Sequence, residues 1–79
     1  MGAKTIPTAF GEVLRECRTK TPISQESLAF KADLDRTYIS LLERGLRQPT
    51  LTTLFRLAEV LEIAPATLIA RTSSKRDGS

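Results

Sequence analysis

Apolar residues recur at helical spacing in two stretches of the chain, and this pattern most limits the folds open to 79 residues. The first stretch places four apolar side chains at i, i+3, i+4 and i+7, on one face of a helix. They are Phe10, Val13, Leu14 and Cys17. The second stretch repeats the spacing with Leu54, Leu57, Ala58 and Leu61. The alternation typical of strands occurs nowhere. The pattern therefore predicts an all-α protein.

Proline, glycine and capping residues predict where the helices begin and end. The first helix is expected over about residues 8–20, and Pro22 interrupts the chain after it. Ser24 is a good N-cap for a second helix, because its hydroxyl can accept a bond from a free backbone N–H. Asp35 is the corresponding cap of a third helix, about 36–44, which Gly45 ends. Only three or four residues, roughly, separate the second and third helices.

Two further helices complete the predicted domain. Pro49 with Thr50 opens a fourth helix, and Pro65 suits the first turn of a fifth. A chain of this length can build one small core. We therefore expect a compact five-helix bundle over residues 8–71. A flexible N-terminal arm at 1–7 precedes it, and the polar tail at 72–79 lacks apolar side chains, which predicts disorder.

The composition argues against catalysis and metal binding. The sequence has no histidine and a single cysteine, Cys17, so an ordinary zinc site and an internal disulfide are both excluded. It also lacks a glycine-rich phosphate loop and a convergent pair of acids. Neither an enzyme nor a cofactor is expected. The formal net charge of +3 is compatible with a polyanionic partner, although many proteins reach it without one.

The sequence also indicates where the protein works. No apolar run approaches the roughly 20 residues needed to cross a bilayer. The N-terminal stretch MGAKTIPTAF lacks the apolar core of a signal peptide. We therefore expect a cytoplasmic protein without a membrane partner.

The second and third helices have the arrangement of a helix-turn-helix. In that motif the second helix lies in the major groove of DNA, with its N-terminal residues facing base edges. The spacing alone is weakly specific, because many helical proteins contain such a corner. A helical protein-interaction module therefore stays open as an alternative.

Residue identities in this segment resemble the phage-repressor-like helix-turn-helix family, also called the xenobiotic-response-element family. The resemblance rests on QESLA at 25–29, DRTYIS at 35–40, ERG at 43–45 and PTL at 49–51, and it covers roughly residues 10–69. DRTYIS and the small size are also similar to the controller proteins of restriction-modification systems. The resemblance implies a lambda-repressor-like domain that regulates transcription from double-stranded DNA. Within the family, the alternative to a restriction-modification controller is an antitoxin or a phage-type repressor.

The turn between the two helices departs from the family at one position. The family usually has glycine where this chain has Asp33. Because aspartate tolerates a left-handed backbone better than most residues do, we expect the turn to be preserved.

The first turn of the third helix carries the predicted contacts to DNA bases. Arg36 and Thr37 occupy this turn, and an arginine there can bind guanine O6 and N7 with two hydrogen bonds. The helix dipole disfavours a cation at this end, which suggests that Arg36 has a ligand. The alternative is an ion pair with Asp33 or Asp35 on the solvated surface.

Three further candidate contacts lie along the same helix. Ser40 could bond a base or a phosphate, and Leu41 could contact a thymine methyl group. The Tyr38 ring can complete the core while its hydroxyl reaches a phosphate, so the two roles are compatible.

Backbone contacts to DNA are predicted on either side of the third helix. Gln25 begins the second helix, where free N–H groups suit a phosphate, and the resemblance implies that it anchors the DNA backbone. The remaining phosphate candidates follow the third helix or open the fourth. They are Arg44, Arg47, Thr50, Thr52 and Thr53.

Two further sets of residues are predicted to hold the protein together. The resemblance implies a structural salt bridge between Arg18 and Glu43. It also implies a homodimer, because a two-fold operator needs two copies. The candidate interface residues are apolar and lie near the fifth helix, and the alternative is that they close the monomer core. They are Val60, Ile63, Leu68 and Ile69. No small-molecule effector is expected in so short a chain.

Overall fold

The computed structural model describes residues 4–78 as five α-helices. They are α1 (Ile6–Lys20), α2 (Gln25–Ala32), α3 (Arg36–Glu43), α4 (Leu51–Leu61) and α5 (Pro65–Arg76). Within this range there is no strand. The predicted all-α, five-helix architecture is confirmed.

Side-chain caps explain why three of the helices begin where they do. Thr5, Ser24 and Thr50 precede α1, α2 and α4, and each hydroxyl accepts the backbone N–H three residues later, at 3.2, 3.0 and 3.0 Å. These bonds satisfy N–H groups that have no partner inside the helix. Asp35 occupies the cap position of α3 in extended conformation, but its side chain makes no capping bond.

The core lies where α1 packs along α5 and crosses the end of α3. Leu14, Leu42 and Leu68 are among its fully buried side chains. Gly11 permits the crossing, because a Cβ atom there would lie against the carbonyl oxygen of Leu42 and 2.7 Å from that of Glu43. The backbones of α1 and α3 therefore approach more closely than any other residue would allow.

Both predicted ends of the domain need correction. A flexible N-terminal arm was predicted at 1–7. Its first three positions, 1–3, lie outside the described residues. Ile6 and Pro7 already belong to α1, because Thr5 caps that helix. The disorder predicted from residue 72 onwards is wrong up to Arg76, since α5 continues to that residue. Position 79 of the predicted tail also lies outside the described residues.

Contacts with the rest of the domain hold the last turns of α5. The Thr72 side chain is buried, and its hydroxyl donates to the carbonyl of Leu68 at 2.8 Å. Lys75 Nζ lies 2.6 Å from Glu16 Oε2 on α1, and this carboxylate raises the pKa of Lys75 above its ordinary value. A polar composition gives no sign of such contacts, so it predicted disorder.

No helix within 4–78 is long and apolar enough to span a bilayer.

Candidate nucleic-acid interface

The turn between α2 and α3 has the geometry of a helix-turn-helix. Asp33 ends α2 in the left-handed conformation, with φ 59° and ψ 47°, and its N–H bonds to the carbonyls of Ala29 and Phe30. The N–H of Leu34 also reaches the carbonyl of Ala29, at 2.8 Å. Aspartate thus adopts the backbone that the family usually gives to glycine, as predicted.

The predicted base-contacting residues share one side of α3. Ile39 and Leu42 form the buried side. Arg36 and Thr37 are exposed in the first turn, whereas the candidates one turn further on, Ser40 and Leu41, are half-buried. The first turn is therefore the most accessible part of the helix. Tyr38 is partly buried and packs against the core.

The Arg36 guanidinium has no ion pair or hydrogen bond with any of residues 4–78. The alternative partner Asp33 instead faces Arg56 across 4.0 Å. Asp35 forms no ion pair with Arg36 either. An internal ion pair within this range therefore does not account for the presence of an arginine at the start of α3.

A buried ion pair holds the opposite end of α3. Arg18 Nε donates to Glu43 Oε2 at 2.5 Å, and Nη2 donates to Oε1 at 3.2 Å. The third arm of the guanidinium, Nη1, donates to the carbonyl of Ile23 at 2.9 Å. The Glu43 side chain is 3% exposed. The pair implied by the family resemblance is present and links α1, α3 and the loop before α2.

The same carboxylate orients the first residue of α2. Gln25 Nε2 donates to Glu43 Oε1 at 2.9 Å. Because an amide nitrogen carries two hydrogens, one N–H remains for another acceptor. Gln25 and Arg36 line one surface pocket at the start of α2, together with Arg18, so the structure brings two of the predicted DNA contacts together.

The segment after α3 presents two exposed cations. Arg44 Nε bonds only weakly to the carbonyl of Ser40, at 3.4 Å, and Arg47 Nη1 reaches the carbonyl of Leu46 at 3.3 Å. Thr52 is exposed in the first turn of α4. These three side chains are accessible to a phosphate.

Thr53 was wrongly predicted as a phosphate contact. Its side chain is 7% exposed, its N–H donates to the Thr50 hydroxyl, and its own hydroxyl accepts from that hydroxyl. Its position on the inward side of α4 explains the burial. Thr50 is exposed, but capping occupies its hydroxyl.

The predicted dimer residues are only partly available. Leu68 is fully buried and belongs to the monomer core, so this prediction is wrong. Val60 and Ile63 are half-buried against the core, whereas Ile69 is 51% exposed. The prediction missed Leu51 and Phe55, which are large, exposed and one turn apart on α4. Their i, i+4 spacing outside the buried stripe was the signal that could have identified them.

Two short helices around a tight turn, with the second one exposed at its first turn, define a helix-turn-helix domain. The family model described as helix-turn-helix (HTH_3) matches residues 14–68, and the chain belongs to this family. The control protein C.BamHI of Bacillus amyloliquefaciens is 43% identical over 61 residues, which are 76% of this chain and 75% of the relative.

Solved structures agree with this assignment. The restriction-modification controller protein C.AhdI of Aeromonas hydrophila is 45% identical with a TM-score of 0.76, over 78% of this chain and 94% of that one. The C.Esp1396I controller tetramer in complex with its natural 35 base-pair operator is 29% identical with a TM-score of 0.80, over 91% and 95%. The chain is a helix-turn-helix transcriptional regulator homologous to restriction-modification controller proteins.

Proposed function

We propose that this regulator binds a two-fold operator as a homodimer, with α3 in the major groove, and controls a restriction-modification system. The observation that carries the proposal is Arg36, an exposed cation at the start of α3 without an internal partner among residues 4–78. The related C.Esp1396I, which shares the fold, has been solved in complex with its operator.

Base recognition centres on the first turn of α3. A bidentate arginine–guanine contact contributes about 1–3 kcal/mol of discrimination. The unfavourable helix dipole costs about 0.3–1 kcal/mol at an exposed site, so the base contact offsets it. Thr37 lies beside Arg36, while Ser40 and Leu41 extend the reading surface along the helix to a base edge or a thymine methyl group.

Phosphate contacts on both sides of α3 fix its position in the groove. On one DNA strand, a phosphate accepts from the remaining side-chain N–H of Gln25 and from free backbone N–H groups at the start of α2. Arg44, Arg47 and Thr52 offer charge and a hydroxyl to the other, and the Tyr38 hydroxyl is a further donor. If a dimer neutralises about six phosphates, the logarithm of affinity falls with the logarithm of salt concentration at a slope near −5.

The regulator is expected to bind as a two-fold dimer because one helix-turn-helix domain covers only a short stretch of DNA. A single helix-turn-helix contacts only a few base pairs, so two copies read half-sites about one helical turn or a multiple of it apart. Protein concentration then sets operator occupancy, and the regulator acts in the cytoplasm by binding alone, without catalysis or a small-molecule effector. The sequence has no histidine for acid–base chemistry, and its relatives are named as control proteins.

Selection from a random duplex pool tests this function. Wild type, Arg36→Ala and Arg15→Ala are run in parallel at one stated salt concentration, Arg15 being an exposed arginine on α1. We expect wild type and Arg15→Ala to enrich the same two-fold motif, and Arg36→Ala to lose a guanine preference in each half-site. Failure of wild type to enrich any motif would favour the alternative, a helical module that binds a protein.

A further inference from the structure

The Glu43 side chain accepts one hydrogen bond more than its ion pair with Arg18 supplies. Its Oε2 atom accepts from Arg18 Nε, whereas Oε1 accepts both from Arg18 Nη2 at 3.2 Å and from Gln25 Nε2 at 2.9 Å. Only 3% of the Glu43 side chain is exposed, so water competes little for these bonds. The bond to Gln25 therefore joins the buried end of α3 to the solvent-accessible start of α2.

This bond fixes the direction of the Gln25 amide. An ionised carboxylate can only accept hydrogen bonds, so the amide nitrogen of Gln25, and not its oxygen, must face Glu43. The remaining N–H of that nitrogen lies in the same amide plane and is fixed with it. Gln25 is half-buried and lines the surface pocket that Arg18 and Arg36 also line. A ligand in this pocket therefore meets an amide that is already oriented.

We infer that Glu43 is a positioning residue for operator binding, which holds the Gln25 amide in place for a phosphate of the DNA backbone. The inference rests on the proposed function and adds a residue that does not itself touch DNA. A free glutamine side chain samples many rotamers, and fixing one of them costs conformational entropy. Because Glu43 fixes Gln25 in the folded protein, that entropy is lost before DNA binds and does not weaken the complex.

Orientation matters at this pocket because its charges cancel. Arg18 and Arg36 contribute two positive charges, and Glu43 and Glu26, which also lines the pocket, contribute two negative ones. Attraction for a phosphate at the start of α2 thus depends on directed N–H groups and the helix dipole rather than on net charge.

Backbone N–H groups complete the donor set around Gln25. Ser24 caps α2 by accepting from the N–H of Ser27, so the N–H groups of Gln25 and Glu26 have no partner inside the helix. A phosphate contact carries no base information. Loss of the Glu43 anchor should therefore weaken binding to all operator sequences alike and leave base preference to Arg36.

A double-mutant cycle in operator affinity separates positioning from folding. Glu43→Asp retains a carboxylate for Arg18 but withdraws it from Gln25 by about one C–C bond, roughly 1.5 Å. In an otherwise wild-type protein it should raise the operator dissociation constant by about 2- to 12-fold for each protomer. In the Gln25→Ala background it should have no further effect, because the amide that Glu43 orients is absent.

Arg47→Gln provides the matched control background. Arg47 is also a proposed phosphate contact, but its guanidinium donates to the carbonyl of Leu46 instead of to Glu43. The effects of Glu43→Asp and Arg47→Gln should therefore multiply. All titrations are made at a temperature where circular dichroism shows each variant to be folded. An equal effect of Glu43→Asp in all three backgrounds, or no effect in any, would overturn the inference.

Nuclear magnetic resonance of the wild-type protein without DNA gives a measurement that needs no variant. The side-chain amide of Gln25 should have an order parameter close to that of rigid backbone, about 0.85. Gln48, an exposed glutamine between α3 and α4, is the internal control and should fall below about 0.6. A Gln25 amide as mobile as that of Gln48 would overturn the inference.

The same measurements distinguish this inference from the proposed function. Failure of wild type to select any operator would overturn the proposed function and this inference with it. An operator that is bound without coupling between Glu43 and Gln25 would overturn the inference alone.

Discussion

The two ends of α3 are built in opposite ways. At its C-terminal end, Glu43 is almost fully buried, accepts hydrogen bonds from Arg18 and Gln25, and lies where Gly11 lets α1 approach closely. At its N-terminal end, Asp35 makes no capping bond and Arg36 is exposed without an internal partner in the described part of the chain. The C-terminal end of α3, here called the held end, is bonded to the rest of the domain, whereas its N-terminal end is exposed to solvent.

This difference separates stability from recognition within eight residues. Groups buried and bonded inside the fold are costly to remove, because the partner left behind loses its compensation. An exposed group without an internal partner contributes little to folding, so its removal should affect only what binds there. Mutations at the two ends of α3 should therefore have different readouts.

The largest expected effect lies at the held end. Glu43→Ala leaves Arg18 partly buried without its carboxylate, and we expect a loss of about 3–5 kcal/mol in unfolding free energy. For a domain of this size the melting temperature should fall by more than about 10 °C. Thermal denaturation by circular dichroism measures it. Glu12→Ala is the control, since it removes an exposed pair with Lys4 that contributes at most about 1 kcal/mol. Equal melting temperatures for the two variants would contradict the structural role of Glu43.

Gly11→Ala should destabilise the protein by about 1–3 kcal/mol. The added Cβ meets backbone carbonyls of α3, which cannot move away as a flexible side chain would. The sign of this change in unfolding free energy distinguishes a close helix crossing from an ordinary helix position, because alanine normally stabilises a helix relative to glycine by about 0.5–1 kcal/mol. Urea denaturation gives the result, and a midpoint above that of wild type would exclude the close crossing of α1 over α3.

At the exposed N-terminal end of α3, Arg36→Ala should weaken operator binding by about 1–3 kcal/mol for each half-site, with an unchanged melting temperature. Titration of a selected operator at fixed salt measures the affinity. Arg36→Lys should recover little of the lost operator affinity, because an ammonium group lacks the paired donors of a guanidinium group. Full rescue by lysine would show that the position provides charge alone.

The smallest effect concerns the backbone contacts. Arg47→Gln should weaken binding nearly equally for all operator variants and reduce the magnitude of the salt slope by about 1 for each protomer of the dimer. Arg15→Gln, with the same change of charge on α1, should leave the slope unchanged. A sequence-dependent loss for Arg47→Gln would instead assign Arg47 to base recognition.

The sequence by itself determined the features that depend on neighbours along the chain. Apolar spacing defined the helices, the Ser24 hydroxyl fixed the start of α2, and the tolerance of Asp33 for positive φ preserved the turn. The position of Arg36 in the first turn of α3 was also predictable, because counting from a cap locates a residue on a helix without any tertiary information.

Only the tertiary structure decided which apolar or polar side chain is covered by another element. Leu68 is buried and Phe55 exposed although both are apolar helix residues, and Thr53 is buried although it is polar. The extension of α5 to Arg76 depends on contacts with α1. Local spacing gives the side of a helix on which a residue lies, whereas burial depends on elements distant in sequence that pack against that side.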